Sequence, residues 1–118
     1  AKDTLSLHDA LPISADGSDF AAATLASLHT KSPQTCKVAL RQLATSLTLP
    51  DFAANMVMEY RICSRVLLRP DFAEGVRAVI VDKDNAPKWN PATPEGVTDA
   101  MLDAIFAPLT DSEEWSPL

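Results

Sequence analysis

A chain of 118 residues has room for one domain, and an apolar content of 47% is that of a globular protein rather than a disordered tail. No apolar run reaches the roughly 20 residues that a membrane span needs, and a net charge of -6 argues against nucleic acid as a partner, because phosphate binding needs a concentrated basic surface. That charge is unevenly spread: nine Lys/Arg stand against six Asp/Glu from Lys31 to Lys88, and six acids without a base follow from Trp89 onward. The basic middle can face an anion, and solvated helix faces are the competing reading.

The first segment, TLSLHDALPI at 4–13, reads as the translation of a DNA-sequencing adaptor. Residues 1–13 are therefore expected to be an artefactual segment foreign to the fold, and His8 carries no role. The competing reading is an amphipathic start built on Leu5, Leu7, Leu11 and Ile13.

Ser18 or Asp19 can cap a first helix that runs from Phe20 through an alanine-rich stretch to His29. Ser32 caps the next, with Pro33 in its first turn, where a missing N–H costs nothing. Cys36, Leu40, Leu43 and Leu47 then form an apolar stripe of helical period, with Lys37 and Arg41 beside it. A third helix is expected to open near Thr48, with Pro50 and Asp51 in its first turn. Its stripe is Phe52, Met56, Tyr60, Cys63 and Leu67, while Met58 and Ile62 fall on another side, so the helix has more than one apolar face.

Pro70 ends that helix, and Asp71 with Glu74 makes a capping-box pattern for a fourth. Here local signals conflict, since VRAVIV at 76–81 is β-branched and suits a strand. Gly75 within a helix costs about 1 kcal/mol relative to Ala, which points to close approach by a neighbouring element. Asn85, Pro87, Asn90, Pro91 and Pro94 then break regular structure, and Trp89 is placed to pin this segment to the helices. The last helix starts at Thr98, with Val97 and Leu102 spaced for a hydrophobic staple, and stops at Pro108. The sum is an all-α array of about five helices over 14–109, followed by an acidic frayed tail at 110–118.

Catalytic chemistry is sparse. No Gly-rich phosphate loop, HExxH, GxSxG or metal-like His/Cys spacing appears. His29 sits at a helix end without a nucleophile nearby. Cys36 and Cys63 fall on apolar stripes, where cysteine is usually a small buried hydrophobe. Glu59 shares its helix with Arg61 and Arg65, Glu74 is accounted for by capping, and no pocket is visible for Asp82 or Asp84.

Three ordered motifs carry a resemblance. SPQTCKVALRQL at 32–43, MEYRICSRVL at 58–67 and RPDFAEGVRAVIVDKDNAPKWNP at 69–91 resemble the carboxy-terminal part of 3-hydroxyisobutyryl-CoA hydrolases. These form a branch of the crotonase (enoyl-CoA hydratase/isomerase) superfamily, and the likeness runs from about Asp19 to Leu109. The resemblance implies an acyl-CoA thioester hydrolase of valine degradation, with no metal or redox cofactor, CoA being part of the substrate. In the family two backbone N–H groups stabilise the thioester oxyanion and a carboxylate assists hydrolysis. Both belong to a ββα core that the family's order puts ahead of Asp19, so no catalytic residue carries over and the missing core is an implied partner. The fragment is expected to be inactive alone.

One binding role is implied. Crotonase relatives carry an EGxxAFxEKR-like segment whose basic residues meet the nucleotide phosphates of CoA. Glu74, Gly75, Ala78 and Lys83 match it, whereas Val79 and the Asp82–Lys83–Asp84 triplet depart from it. Lys83 is thus the candidate CoA ligand, against the plain reading of a lysine favouring a helix C-terminus. Arg77 matches no basic family position and is the poorer candidate. The implied compartment is the bacterial cytoplasm, or the mitochondrion in a eukaryote. Two other readings stand beside this one: a hydratase or isomerase relative with another acyl-CoA, and a self-contained helical interaction module. Helices shaped to cover a core should expose an apolar face when alone, and the Met58/Ile62 side is the expected one.

Overall fold

The computed structural model describes residues 11–117. Most of the segment read as an adaptor translation therefore lies outside the described residues. Six α-helices follow in chain order: α1 (Leu11–Asp16), α2 (Asp19–Leu28), α3 (Pro33–Ser46), α4 (Phe52–Val66), α5 (Pro70–Val76) and α6 (Asp99–Phe106). A π-helical turn, Arg77–Val81, extends α5, and a 3-10 turn, Pro94–Gly96, precedes α6. Among the described residues there is no strand, so the all-α expectation holds.

The helix starts are set by short-range chemistry. Ser18 accepts from the Ala21 N–H at 3.1 Å, Ser32 from Thr35 at 3.1 Å, Asp51 from Ala54 at 2.8 Å and Thr98 from Met101 at 3.2 Å. The Asp51 cap moves the start of α4 beyond the expected Thr48: Pro50 and Asp51 precede the helix instead of lying in its first turn. The β-branched stretch after Gly75 resolves as a widened helix. The Asp82 N–H bonds the Arg77 carbonyl five residues back, at 2.8 Å.

The core lies where α4 crosses α6, with one residue from α3 and one ahead of α6. Met58 and Ile62 meet Leu102 and Ile105, joined by Val38 and Val97 and flanked by Leu49, Val66 and Phe106. Val97 and Leu102 are both buried here, as a staple requires.

This core inverts the expected faces of α3 and α4. Met58 and Ile62 are 6% and 7% exposed, whereas Leu43, Leu47 and Phe52 are 68%, 90% and 76% exposed. The apolar stripe of α3 faces outward, and its buried residues are Pro33, Gln34 and Val38. Both helices have several apolar sides, and periodicity ranks stripes by regularity, not by which side meets a neighbour. The apolar surface left open therefore includes Leu40 and Leu43 on α3, Leu47 at its end, Phe52 on α4, and Phe72, Val79 and Ile80 on α5 and its extension.

Long-range polar contacts complete the array. Arg65 of α4 donates to the carbonyls of Ile105 (3.2 Å), Ala107 and Pro108 (2.8 Å), the open end of α6. Arg61 donates to both carboxylate oxygens of Glu114 at 3.0 Å, and Trp115 packs on Tyr60 with ring centroids 5.9 Å apart. The segment read as frayed from 110 thus folds back onto α4 at Glu114 and Trp115.

Candidate functional site

The start of α5 positions the polar machinery of this chain. Pro70 occupies the first helical position, so the cap falls on Arg69, which makes no side-chain cap bond. Asp71 and Glu74 both lie inside the helix and form no capping box. Their carboxylates are free to bond elsewhere, and each ties down a different part of the segment that follows.

Asp71 is buried, accepting the Ser32 hydroxyl and, at 2.7 Å, the Asn90 N–H. Ser32 thereby caps α3 and joins it to α5 at once. Beside this node Arg69 donates to the Gln34 side-chain carbonyl. The indole of Trp89 donates to the Thr30 carbonyl at 3.0 Å, and its ring lies 3.4 Å from where a Cβ on Gly75 would stand. The absent side chain lets the ring come in against the helix backbone, and a Cβ there would be in van der Waals contact with it. Ser32, Asp71 and Asn90 carry no motif that sequence reading recognises as a node. The only signal was the Ser-Pro and Pro-Asp pairs that open two successive helices.

Glu74 organises the second part. Its two oxygens receive Nε and Nη2 of Arg77, each at 2.8 Å, and one also receives the Lys88 N–H at 2.7 Å. Nη1 of Arg77 reaches Asp82 at 2.6 Å and Asp84 at 2.7 Å, and Nη2 reaches the Ala86 carbonyl at 3.3 Å. The Arg77 hydrogen bonds, then the Lys88 N–H, hold the Glu74 carboxyl down at about 2 against an ordinary 4.5. Arg77, then the Ala86 N–H, lowers Asp84 as well, and the carboxylates led by Glu74 raise Arg77 above the usual arginine range. With its donors committed to three carboxylates, this guanidinium has none left for a phosphate.

Lys83 stands between the two gripped aspartates. It is exposed, its backbone is left-handed at φ 56°, and none of the described carboxylates pairs with it. Asn85 is left-handed too, at φ 51°, and its N–H closes the loop onto the Ala78 carbonyl at 3.0 Å. The local geometry therefore separates the two basic candidates: Arg77 is consumed in a structural cluster, and Lys83 is displayed.

The remaining candidates stay apart. His29 is exposed at the end of α2. Cys36 is partly buried, and that burial pushes its thiol up, away from a nucleophile. Cys63 is exposed rather than buried, in an open groove with Met56, Glu59, Tyr60 and Trp115, because the buried side of α4 is the Met58/Ile62 side. Among the described residues no group of His, Cys, Asp and Glu is arranged to hold a metal.

The family described as Enoyl-CoA hydratase/isomerase matches residues 2–106. The chain is similar to the mitochondrial 3-hydroxyisobutyryl-CoA hydrolase of Dictyostelium discoideum, 37% identical over 99 residues, covering 84% of this chain and 26% of that protein. It is 43% identical over 100 residues to the Bos taurus protein of the same name, covering 83% and 25%. It thus spans about a quarter of the length of the curated relatives it matches. Among solved structures, a carnitinyl-CoA dehydratase from Mycobacterium thermoresistibile superposes with a TM-score of 0.82 at 29% identity, covering 93% of this chain and 31% of the other. An enoyl-CoA hydratase from Rhodobacter sphaeroides gives 0.78 at 28% identity, covering 89% and 31%. The match over most of its length, on an all-α array that those structures also contain, means that this chain belongs to the enoyl-CoA hydratase/isomerase family.

Proposed function

We propose that this chain is the carboxy-terminal helical part of an acyl-CoA thioester hydrolase that acts on 3-hydroxyisobutyryl-CoA in valine degradation, and that it is inactive alone. The observation that carries this reading is the 37–43% identity to proteins of that name over more than four-fifths of the chain. The site supports it in two ways. The Ser32 hydroxyl does lie on the Asp71 carboxylate, but both are buried and the hydroxyl is spent on capping α3, so in this reading thioester attack falls to a catalytic core supplied by the rest of the enzyme. The open apolar surface of α3, α4 and α5 is what such a core would cover.

In this reading Lys83 receives a nucleotide phosphate of CoA, and CoA enters as substrate with no metal or redox cofactor. Its ammonium gives a point-charge contact to a flexible polyanion. A eukaryotic enzyme of this kind would work in the mitochondrion, as the names of the relatives do, and a bacterial one in the cytoplasm. Among the described residues no helix is long and apolar enough to cross a membrane.

The test compares the 118-residue chain with a full-length enzyme that carries it, each assayed on 3-hydroxyisobutyryl-CoA. Turnover by the longer protein and none above a blank by the chain alone is the expected result. Turnover by the lone chain would sink the reading. A second reading, a hydratase or isomerase with another acyl-CoA substrate, is favoured by the likeness to the dehydratase and hydratase structures. Hydration of an enoyl-CoA without thioester hydrolysis by the longer protein would select it.

A further inference from the structure

We infer that Arg77 is a positioning residue for phosphate recognition by Lys83. This rests on the reading of Lys83 as the CoA contact and adds how that contact is made.

The geometry has one guanidinium nitrogen, Nη1, holding the carboxylates on both sides of Lys83. The residue between two ends gripped at one point is looped out. Its backbone takes φ 56°, a conformation that non-glycine residues seldom adopt without surrounding constraint. That constraint is visible: Asp82 N–H to Arg77 carbonyl, Asn85 N–H to Ala78 carbonyl, and Arg77 Nη2 to Ala86 carbonyl. Glu74 anchors the guanidinium from below through two parallel bonds, and its bond to the Lys88 N–H ties down the far end of the loop.

The second consequence is electrostatic. Asp82 and Asp84 are the carboxylates nearest to Lys83 in the chain. Freed from Arg77, either could pair with its ammonium and quench it. Turned onto Arg77, they leave Lys83 without a carboxylate partner among the described residues. Arg77 thus acts through Lys83 twice, by shaping the loop and by occupying its competitors.

The experiment measures KM and kcat of the full-length enzyme on the CoA thioester and on the matching pantetheine thioester, which lacks the nucleotide phosphates. Lys83→Ala should raise KM for the CoA thioester by about threefold to fivefold, the size of an exposed ion pair. It should leave kcat and the pantetheine KM unchanged. Arg77→Gln should show the same pattern, and adding it to Lys83→Ala should raise KM no further. In the Arg77→Gln background, Asp82→Asn with Asp84→Asn should bring KM back toward the parent, which lost loop rigidity alone would not do.

Each failure has its own meaning. No effect of Lys83→Ala removes the CoA contact itself. An effect of Lys83→Ala without one from Arg77→Gln overturns the role of Arg77 and leaves the contact standing, and no recovery in the triple variant overturns its second action, the holding of Asp82 and Asp84 away from Lys83. Should Arg77→Gln not fold, Arg77→Lys serves the same comparison, since an ammonium cannot span the three carboxylates.

Discussion

The carboxylate of Asp71 accepts the hydroxyl of Ser32 across 39 positions of sequence, joining the start of α5 to the start of α3 in a buried contact. The same carboxylate takes the Asn90 N–H, so one side chain fixes two helices and the irregular segment that follows them. Asp71→Ala would strand a buried hydroxyl and a backbone N–H. It should destabilise the chain by about 1–3 kcal/mol, with Asp71→Asn costing less because it keeps an acceptor. Urea unfolding measures both; equal and negligible losses would show that the node is not a support.

The Arg77 cluster makes stability depend on acid. Glu74 is ionised down to about 2 when folded, against 4.5 ordinarily, so between these values the unfolded chain holds more protons than the folded one. Its contribution is complete above pH 4.5 and is lost as pH falls through that window; Asp84 adds in the same direction. Arg77→Gln should flatten the dependence of unfolding free energy on pH in that range. An unchanged slope in the variant would rule the cluster out as its source.

Glycine is needed at Gly96 for space. A Cβ there would lie 2.8 Å from Cβ of Pro91, inside any ordinary contact distance. Gly96→Ala forces the 3-10 turn away from the Pro91 ring and disturbs Val97, which is buried next to it. The expected loss is about 1–3 kcal/mol, the range for overpacking. A thermal melt superimposable on that of the parent chain would contradict the contact.

The two apolar sides of α4 and its neighbours should respond in opposite ways. Ile62→Ala empties a buried position and should cost about 2–5 kcal/mol. Leu43→Ser with Leu47→Ser changes side chains that are already in solvent and should leave stability within about 0.5 kcal/mol. The double variant should bind less of an apolar dye and scatter less light than the parent chain. If it unfolds more readily than Ile62→Ala, the assignment of faces is wrong.

Helix identities and starts were written locally. Ser18, Ser32 and Thr98 accept from an N–H three residues ahead, and Val97 with Leu102 brackets the last start, all interactions within one turn. Local chemistry also pointed to close approach at Gly75 and to Trp89 as an anchor, since a helical glycine and a lone indole each need a neighbour. The order of three motifs already points to the family to which the chain belongs. Which apolar stripe is buried was decided only in three dimensions. α4 carries apolar residues on several sides, and the placement of α6, far along the chain, selected Met58 and Ile62 over Phe52, Met56, Tyr60 and Cys63. The same holds for Asp71, which read as a cap and became a tie to Ser32 and Asn90, and for the hold of Glu74 on the Lys88 N–H, whereas its pair with Arg77 lies within one turn. A carboxylate's distant partner depends on what the fold brings within 3 Å, and chain spacing specifies only the partners within a turn or two.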